Sequence, residues 1–495
     1  MPGMHLKHDI MTHKTLILIA TAIATLTAAA ETRTYTAPPE APLNKTFKVE
    51  VRGEGEQWKA VDVYNVKVDE VEDSGHKVKD SSMAYFDFDG TVDVRVISSV
   101  AVKDAAVRPM SYGITPGVSG DTLTFTLDRP RLLSVEVNGD RFNNLQLFAN
   151  PMETDAPKNI KKFTANKKNV YFGPGYHRID TLRVESGSEI YVAGGAYIDG
   201  HIEIEGADNV RLHGRGMIYP ERKIGIYVKR SRNVEIEGVF TTQCAVGGSD
   251  SVSIDNVKVM SYYGWGDGFN VFASNNVSYR NVFARTSDDC TTVYATRKGF
   301  NGGCRNIRME HSVLWADVAH PFMIGIHGSA AELGTDAPAD TIRDVEYRDI
   351  DVLDMKERQI DYQGVFAIIA GDNNYVRDIT FSDIRVEDFR QGKLFDIRVV
   401  FNRKYNAAPG SLIENINFDN IEYNGTRSEL SMIIGYDESR KVRGIHFNDL
   451  TINGKKYWDR MPDKPGWYKT GDMCRIFIGE HVEDVTFTVS DENDD

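Results

Sequence analysis

The sequence predicts an all-β chain in which a β-sandwich precedes a right-handed parallel β-helix. A short phrase recurs nine times after Pro157, each copy with period-two alternation. Helical periodicity is almost absent, and the segment before Pro157 follows a different, turn-punctuated pattern.

The first element is a candidate export signal spanning 1–30. Lys14 precedes the apolar run Leu16 to Leu26, and Ala28-Ala29-Ala30 supplies small residues for cleavage before Glu31. That run is too short for a membrane span, and no second long apolar segment follows. The mature protein is therefore expected outside the cytoplasm, in the periplasm or the medium. Met1 to Ile10 lie ahead of the signal pattern, which leaves Met11 as an alternative start.

Residues 31–157 read as the sandwich. Short alternating segments such as Thr122-Leu123-Thr124-Phe125-Thr126-Leu127 are separated by Gly, Pro and Asp turns. No catalytic constellation stands out there, so packing against the next domain is the expected role.

Residues 158–489 read as the β-helix. The phrase is Asn or Asp, aliphatic, any residue, aromatic or aliphatic, as in Asn209-Val210-Arg211-Leu212, Asn276-Val277-Ser278-Tyr279 and Asp378-Ile379-Thr380-Phe381. Successive copies are 18 to 38 residues apart, the size of one solenoid coil with loops of variable length. A second strand family lies between the copies: Phe269 to Phe272, Thr291 to Tyr294, Phe322 to Gly325, Val365 to Ile368 and Leu394 to Ile397. Each coil thus has at least two strands. Ser490 to Asp495 form an acidic tail.

A net charge of −14 disfavours nucleic acid and anionic membranes as partners. Cys244, Cys290, Cys304 and Cys474 lack the C-x-x-C spacing of a zinc site, and the fold is not expected to depend on disulfides. Phosphate loops, dinucleotide fingerprints and EF-hand loops are absent, so neither cofactor nor metal is expected. The pattern implies no particular oligomer.

Aligning the second strand family on its apolar residues puts Asp267, Asp289 and His320 in one column, with Gln363 next, and Asp288 adjoins Asp289. Stacked coils bring these side chains together. Carboxylates that close repel one another, so at least one keeps its proton while the others ionise. Glycosidic bond hydrolysis needs that pairing of an acid with a base. Isolated Asp383 and Asp449, by contrast, read as turn residues.

Gly266-Asp267-Gly268 followed by Asp288-Asp289 resembles the aspartate motifs of β-helix glycoside hydrolases of families 49 and 28, which include dextranases and polygalacturonases. Val170 to Gly175, Val192 to Gly200 and the terminal Leu450-Thr451-Ile452-Asn453-Gly454 resemble family 49 more closely, as does the order sandwich then helix. Two positions depart from that pattern: Gly266 stands where the family has Thr, and Gly325-Ile326-His327 replaces its Gly-Trp segment. The Gly-His-Gly and Arg-Ile-Lys motifs of polygalacturonases are missing.

The resemblance implies an inverting hydrolase of a polysaccharide or oligosaccharide, with Asp288 as general acid and Asp267 and Asp289 polarising water. A neutral α-glucan such as dextran or pullulan is the expected substrate. His320 and His327 are expected to hold the acid or a sugar hydroxyl. Trp265, Tyr294, Arg297, Lys298 and Gln363 are further substrate-binding candidates, and Tyr262, Tyr263 and Trp315 lie nearby in sequence, about half of these aromatics being expected in the core. Three alternatives stand beside this reading. A polygalacturonase-like enzyme would use Arg297, Lys298 and Arg398 against an acidic glycan; a lyase would use a Lys or Arg base; a binding-only solenoid would keep its aspartates for turns.

Overall fold

The computed structural model describes residues 31–221 and 224–490. The candidate export signal and the tail after Ser490 lie outside the described residues. Among the described residues no helix is long and apolar enough to cross a membrane.

Residues 32–151 form two sheets, of six and five strands, packed on a core that includes Val51, Phe86, Val94 and Leu133. From Val170–Phe172 to Val482–Thr488 runs one 29-stranded sheet, paired in parallel between coils except for the Leu450–Ile452 and Lys455–Tyr457 hairpin. This is the β-helix. The short helix Ile160–Phe163 precedes the first coil, and Phe163 packs edge-on against Tyr171.

The recurrent phrases stack in register. Val277 pairs with Ile307, Ile307 with Val345, Val345 with Ile379, and so on to Ile445. A tenth copy, Asp484-Val485-Thr486-Phe487, continues the stack by pairing Val485 with Ile445. The aromatic position makes an internal ladder through Tyr347, Phe381, Phe418, Phe447 and Phe487, with ring centroids 4.8–5.3 Å apart. That interval matches the spacing of strands in a sheet.

The structure explains why seven of the nine phrases begin with Asn or Asp, the other two beginning with Ser251 and Gly444. All nine first positions have φ between 54° and 65°, the left-handed region that Asn, Asp and Gly enter at least cost. Asp383, inside the strand Tyr375–Val386, and Asp449, between the strands Val442–Asn448 and Leu450–Ile452, also sit there, with φ of 56° and 55°.

Each coil carries a third strand stack that sequence reasoning did not separate: Met217–Ile218, Phe240–Thr241, Lys258–Met260, Phe283–Thr286 and their continuation. Its outward residues Phe240, Met260, Phe283 and Trp315 pack with Tyr64, Met83, Tyr85 and Phe148 of the sandwich. Trp315 is fully buried in this junction, 4.1 Å from the Arg285 guanidinium, and does not approach the aspartates. The four cysteines are buried and unpaired.

Candidate active site

The second strand family forms the face that carries the aspartates. Phe269–Phe272 pairs with Thr291–Tyr294, which pairs with Phe322–Gly325. Just ahead of these strands, Gly268 N donates to Asp289 O at 2.8 Å and Cys290 N donates to His320 O at 2.7 Å. Asp267, Asp289 and His320 therefore do share a column.

The coils meet closely on both sides of Asp267, with backbone at Gly268 and a side chain at Gly266. A Cβ on Gly268 would lie 2.4 Å from Cys290 O, and one on Gly266 would lie 2.3 Å from Ser287 Oγ. Ser287 thus fills the space that Thr would need at 266, which accounts for that departure from the family pattern.

Asp267, Asp288 and Asp289 bring one carboxylate oxygen each within 4.8 Å of one another. They lie in a cavity of about 920 Å³ whose rim includes Tyr263, Trp265, Lys298 and Tyr405. A binding-only solenoid would leave Asp288 solvated and apart from Asp267; here the two are neighbours. Oxygens this close could also hold a divalent cation, although Arg297 and Lys298 bring positive charge to the same cavity.

The three carboxyls differ in surroundings. Both Asp289 oxygens are engaged: Oδ1 faces His320 Nδ1 at 2.6 Å and accepts from His320 N at 3.2 Å, while Oδ2 accepts from Tyr294 Oη at 2.8 Å. His320 Nε2 donates to Tyr362 O at 2.6 Å. Burial opposes charge on the His320 ring, but the facing Asp289 carboxylate outweighs it and raises the pKa. Both ring nitrogens of His320 thus face acceptors.

Burial, then the Asp289 charge, lift the Asp267 carboxyl to about 7, against the hydrogen bond that Asn270 Nδ2 donates to its Oδ2 at 2.6 Å. Asp288 is pushed well above the usual carboxylate range by burial and by both neighbouring aspartates. Burial and crowding thus favour the protonated form of Asp288.

His327 lines the cavity, edge-on to Tyr294 at 4.9 Å. Its Nδ1 is buried with no hydrogen-bond partner. Burial, with Arg297 and Lys298 adding to it, lowers its pKa to about 3, so the ring is neutral. Trp265 is 86% exposed at the rim. Tyr294, Arg297 and Lys298 also line the cavity.

Two expected substrate contacts are corrected. His320 is fully buried behind Asp289, because its ring is clamped between that carboxylate and Tyr362 O; it orients Asp289 and does not reach the cavity. Gln363 is one residue out of register: Phe366, not Val365, pairs with Phe322, so Gly364 occupies the column. Gln363 Nε2 donates instead to Glu357 O at 3.0 Å. Arg398 is held by the buried Asp396 and lies outside the cavity lining.

Sequence reasoning missed Glu357, Tyr362 and Tyr405 of the cavity lining. Glu357 is a fourth carboxyl, raised chiefly by burial, and its charge also pushes the Asp288 carboxyl up. These residues lie in loops between strands, where no repeat marks them.

No family model matches the chain, and no curated protein matches its sequence. Among solved structures, it is similar to Dex49A from Penicillium minioluteum: 15% identity over 92% of this chain and 96% of that chain, with a TM-score of 0.61. It also aligns with the family 28 exopolygalacturonase of Yersinia enterocolitica, at 11% identity over 80% of this chain and 96% of that one, with a TM-score of 0.47. The likeness to Dex49A shows a shared fold that extends over both the sandwich and the helix.

Proposed function

We propose that this chain is a glycoside hydrolase in which Asp288 protonates the leaving oxygen while Asp267 and Asp289 hold the attacking water. One observation carries the reading: a carboxyl crowded toward its protonated form lies beside two others in a cavity with an aromatic rim. Two oxygens no more than 4.8 Å apart can both accept from one water at ~2.7 Å.

Single displacement with inversion is the proposed course. The trio is tighter than the about 6.5–9.5 Å usual for inverting acid–base pairs. Attack by water rather than by a carboxylate is supported by the restraint on the candidates. Both Asp289 oxygens are occupied, and Asp267 Oδ2 is held by Asn270. Proton NMR of the first product anomer tests this, and retained configuration would contradict it.

The proposed substrate is a neutral α-glucan such as dextran or pullulan, on the resemblance to family 49. Arg297 and Lys298 favour the second reading, an acidic glycan. Glu357 weighs against it, as does the ion pair of Arg297 with Glu332 at 3.8 Å. A reducing-end assay over dextran, pullulan and polygalacturonate, with and without a chelator, separates the two. We expect release from a neutral glucan, unaffected by the chelator; release from polygalacturonate alone would reverse the assignment. Export is proposed as well, and terminal sequencing of the native protein should find a start near Glu31.

A further inference from the structure

The sandwich has more than a capping role. Its longest hairpin, Tyr64–Glu72 with Gly75–Phe88, is anchored at its tip on the loop that carries Glu357. Lys356 Nζ donates to Val71 O, and Arg358 pairs with Asp73. This brings His76 to the wall of the cavity that holds Asp267, Asp288 and Asp289.

His76 is built into place. Its Nδ1 faces Asp69 Oδ2 at 2.5 Å, and Asp69, fully buried, also accepts from Lys77 N through Oδ1 at 3.1 Å. With Nδ1 occupied, Nε2 is the nitrogen left for the cleft. The ring stands against Gly264, between Tyr263 and Trp265 in sequence: a Cβ on that glycine would lie 3.3 Å from Nε2. Both flanking aromatics are exposed. A pyranose stacked on Trp265 would turn its hydroxyls toward the imidazole, and aromatic face plus polar edge is the usual composition of a small-molecule subsite.

We propose that His76 is a sugar-contacting residue of the cleft, donated by the N-terminal domain, oriented by Asp69, and forming a subsite with Trp265. This rests on the glycoside hydrolase reading. The mechanism needs no group from the sandwich, so the role of His76 is in binding and specificity.

The test uses the full chain carrying Asp288→Asn, which under that reading binds sugar without turning it over. Isomaltohexaose, a pullulan hexasaccharide and hexagalacturonate are titrated against tryptophan fluorescence. Adding His76→Ala should weaken binding of the neutral hexasaccharide about 10-fold, the effect of losing one hydrogen bond. His76→Gln, which keeps a polar terminus at similar reach, should recover part of the loss. Asp69→Asn, which frees the ring, should fall between parent and His76→Ala. Melting curves accompany each variant. Unchanged affinity in His76→Ala overturns the inference and leaves the hydrolase reading intact. So does an affinity in His76→Gln no better than in His76→Ala while both melt like the parent. If the Asp288→Asn parent binds none of the three sugars, the hydrolase reading fails, and this inference with it.

Discussion

On the face that carries the sandwich, buried arginines meet buried carboxylates; on the cleft face, carboxyls meet their like. Arg215 of the helix reaches Asp87 of the sandwich at 3.1 Å, and Arg108 of the sandwich bonds both Glu136 and, across the junction, Glu387, at 2.6 and 2.7 Å. Asp87 accepts in addition from Tyr35 and Asn150. In the cleft, Asp267, Asp288 and Asp289 crowd together, and only Asp289 has a basic side chain, His320, in contact. Matched charges fix the docking of two domains. Unmatched carboxyls hold a proton ready, at a cost in stability.

Breaking each arrangement should therefore move different quantities. Asp288→Asn removes the transferable proton but keeps the shape, so kcat on a polysaccharide should fall by about 10²–10⁴-fold with little change in melting. The pH profile should change with it. In the parent, kcat/KM should rise as pH approaches about 7, where Asp267 ionises, and fall above that as Asp288 loses its proton. The variant should lack the alkaline limb.

At the junction, Arg215→Ala leaves Asp87 buried without its cation. Chemical denaturation should register a loss of about 3–5 kcal/mol, while the folded fraction keeps its kcat. A large fall in kcat would show that the two faces are not separable.

His320→Ala lies between these extremes. Losing the imidazole frees Asp289 to shift, and misplacement on this scale costs up to ~10²-fold in kcat. KM should change little, because His320 does not line the cavity. A change confined to KM would return it to direct substrate contact.

The cleft also carries a stability signature that the junction lacks. Folding raises the Asp267 carboxyl from its ordinary value near 3.8 to about 7. Its contribution is thus fully present below pH ~4 and lost as pH rises through about 7. Asp267→Asn should melt like the parent at pH 4 and above it at pH 8; the reverse order would contradict the crowding.

The smallest expected effect is on the coil turns. Asn276 holds φ of 54° and accepts a hydrogen bond from Asn306 Nδ2 at 2.7 Å through its Oδ1. Asn276→Ala should cost about 1–2 kcal/mol and Asn276→Gly less, since glycine enters that region freely.

These two faces were unequally legible in the sequence. The aspartate column could be read because period-two strands fix which residues stack, and because polar residues interrupt the apolar runs at strand entry. Where Val365 to Ile368 ran apolar throughout, nothing marked the register, and Gln363 was placed one residue off. The ring of Phe366, stacked on Phe322 at 5.4 Å, sets it instead. The docking face was not legible because its strands are as short as two residues, in Met217–Ile218 and Phe240–Thr241. Glu357 and His76 escaped because they reach the cleft from a loop and from another domain.

The central claim is that the crowded carboxyl of Asp288 stores a proton. Infrared difference spectra at pH 7, parent minus variant, test it directly. For Asp288→Asn the account requires loss of a protonated-carboxyl C=O band. Loss of only ionised bands in Asp288→Asn would contradict it.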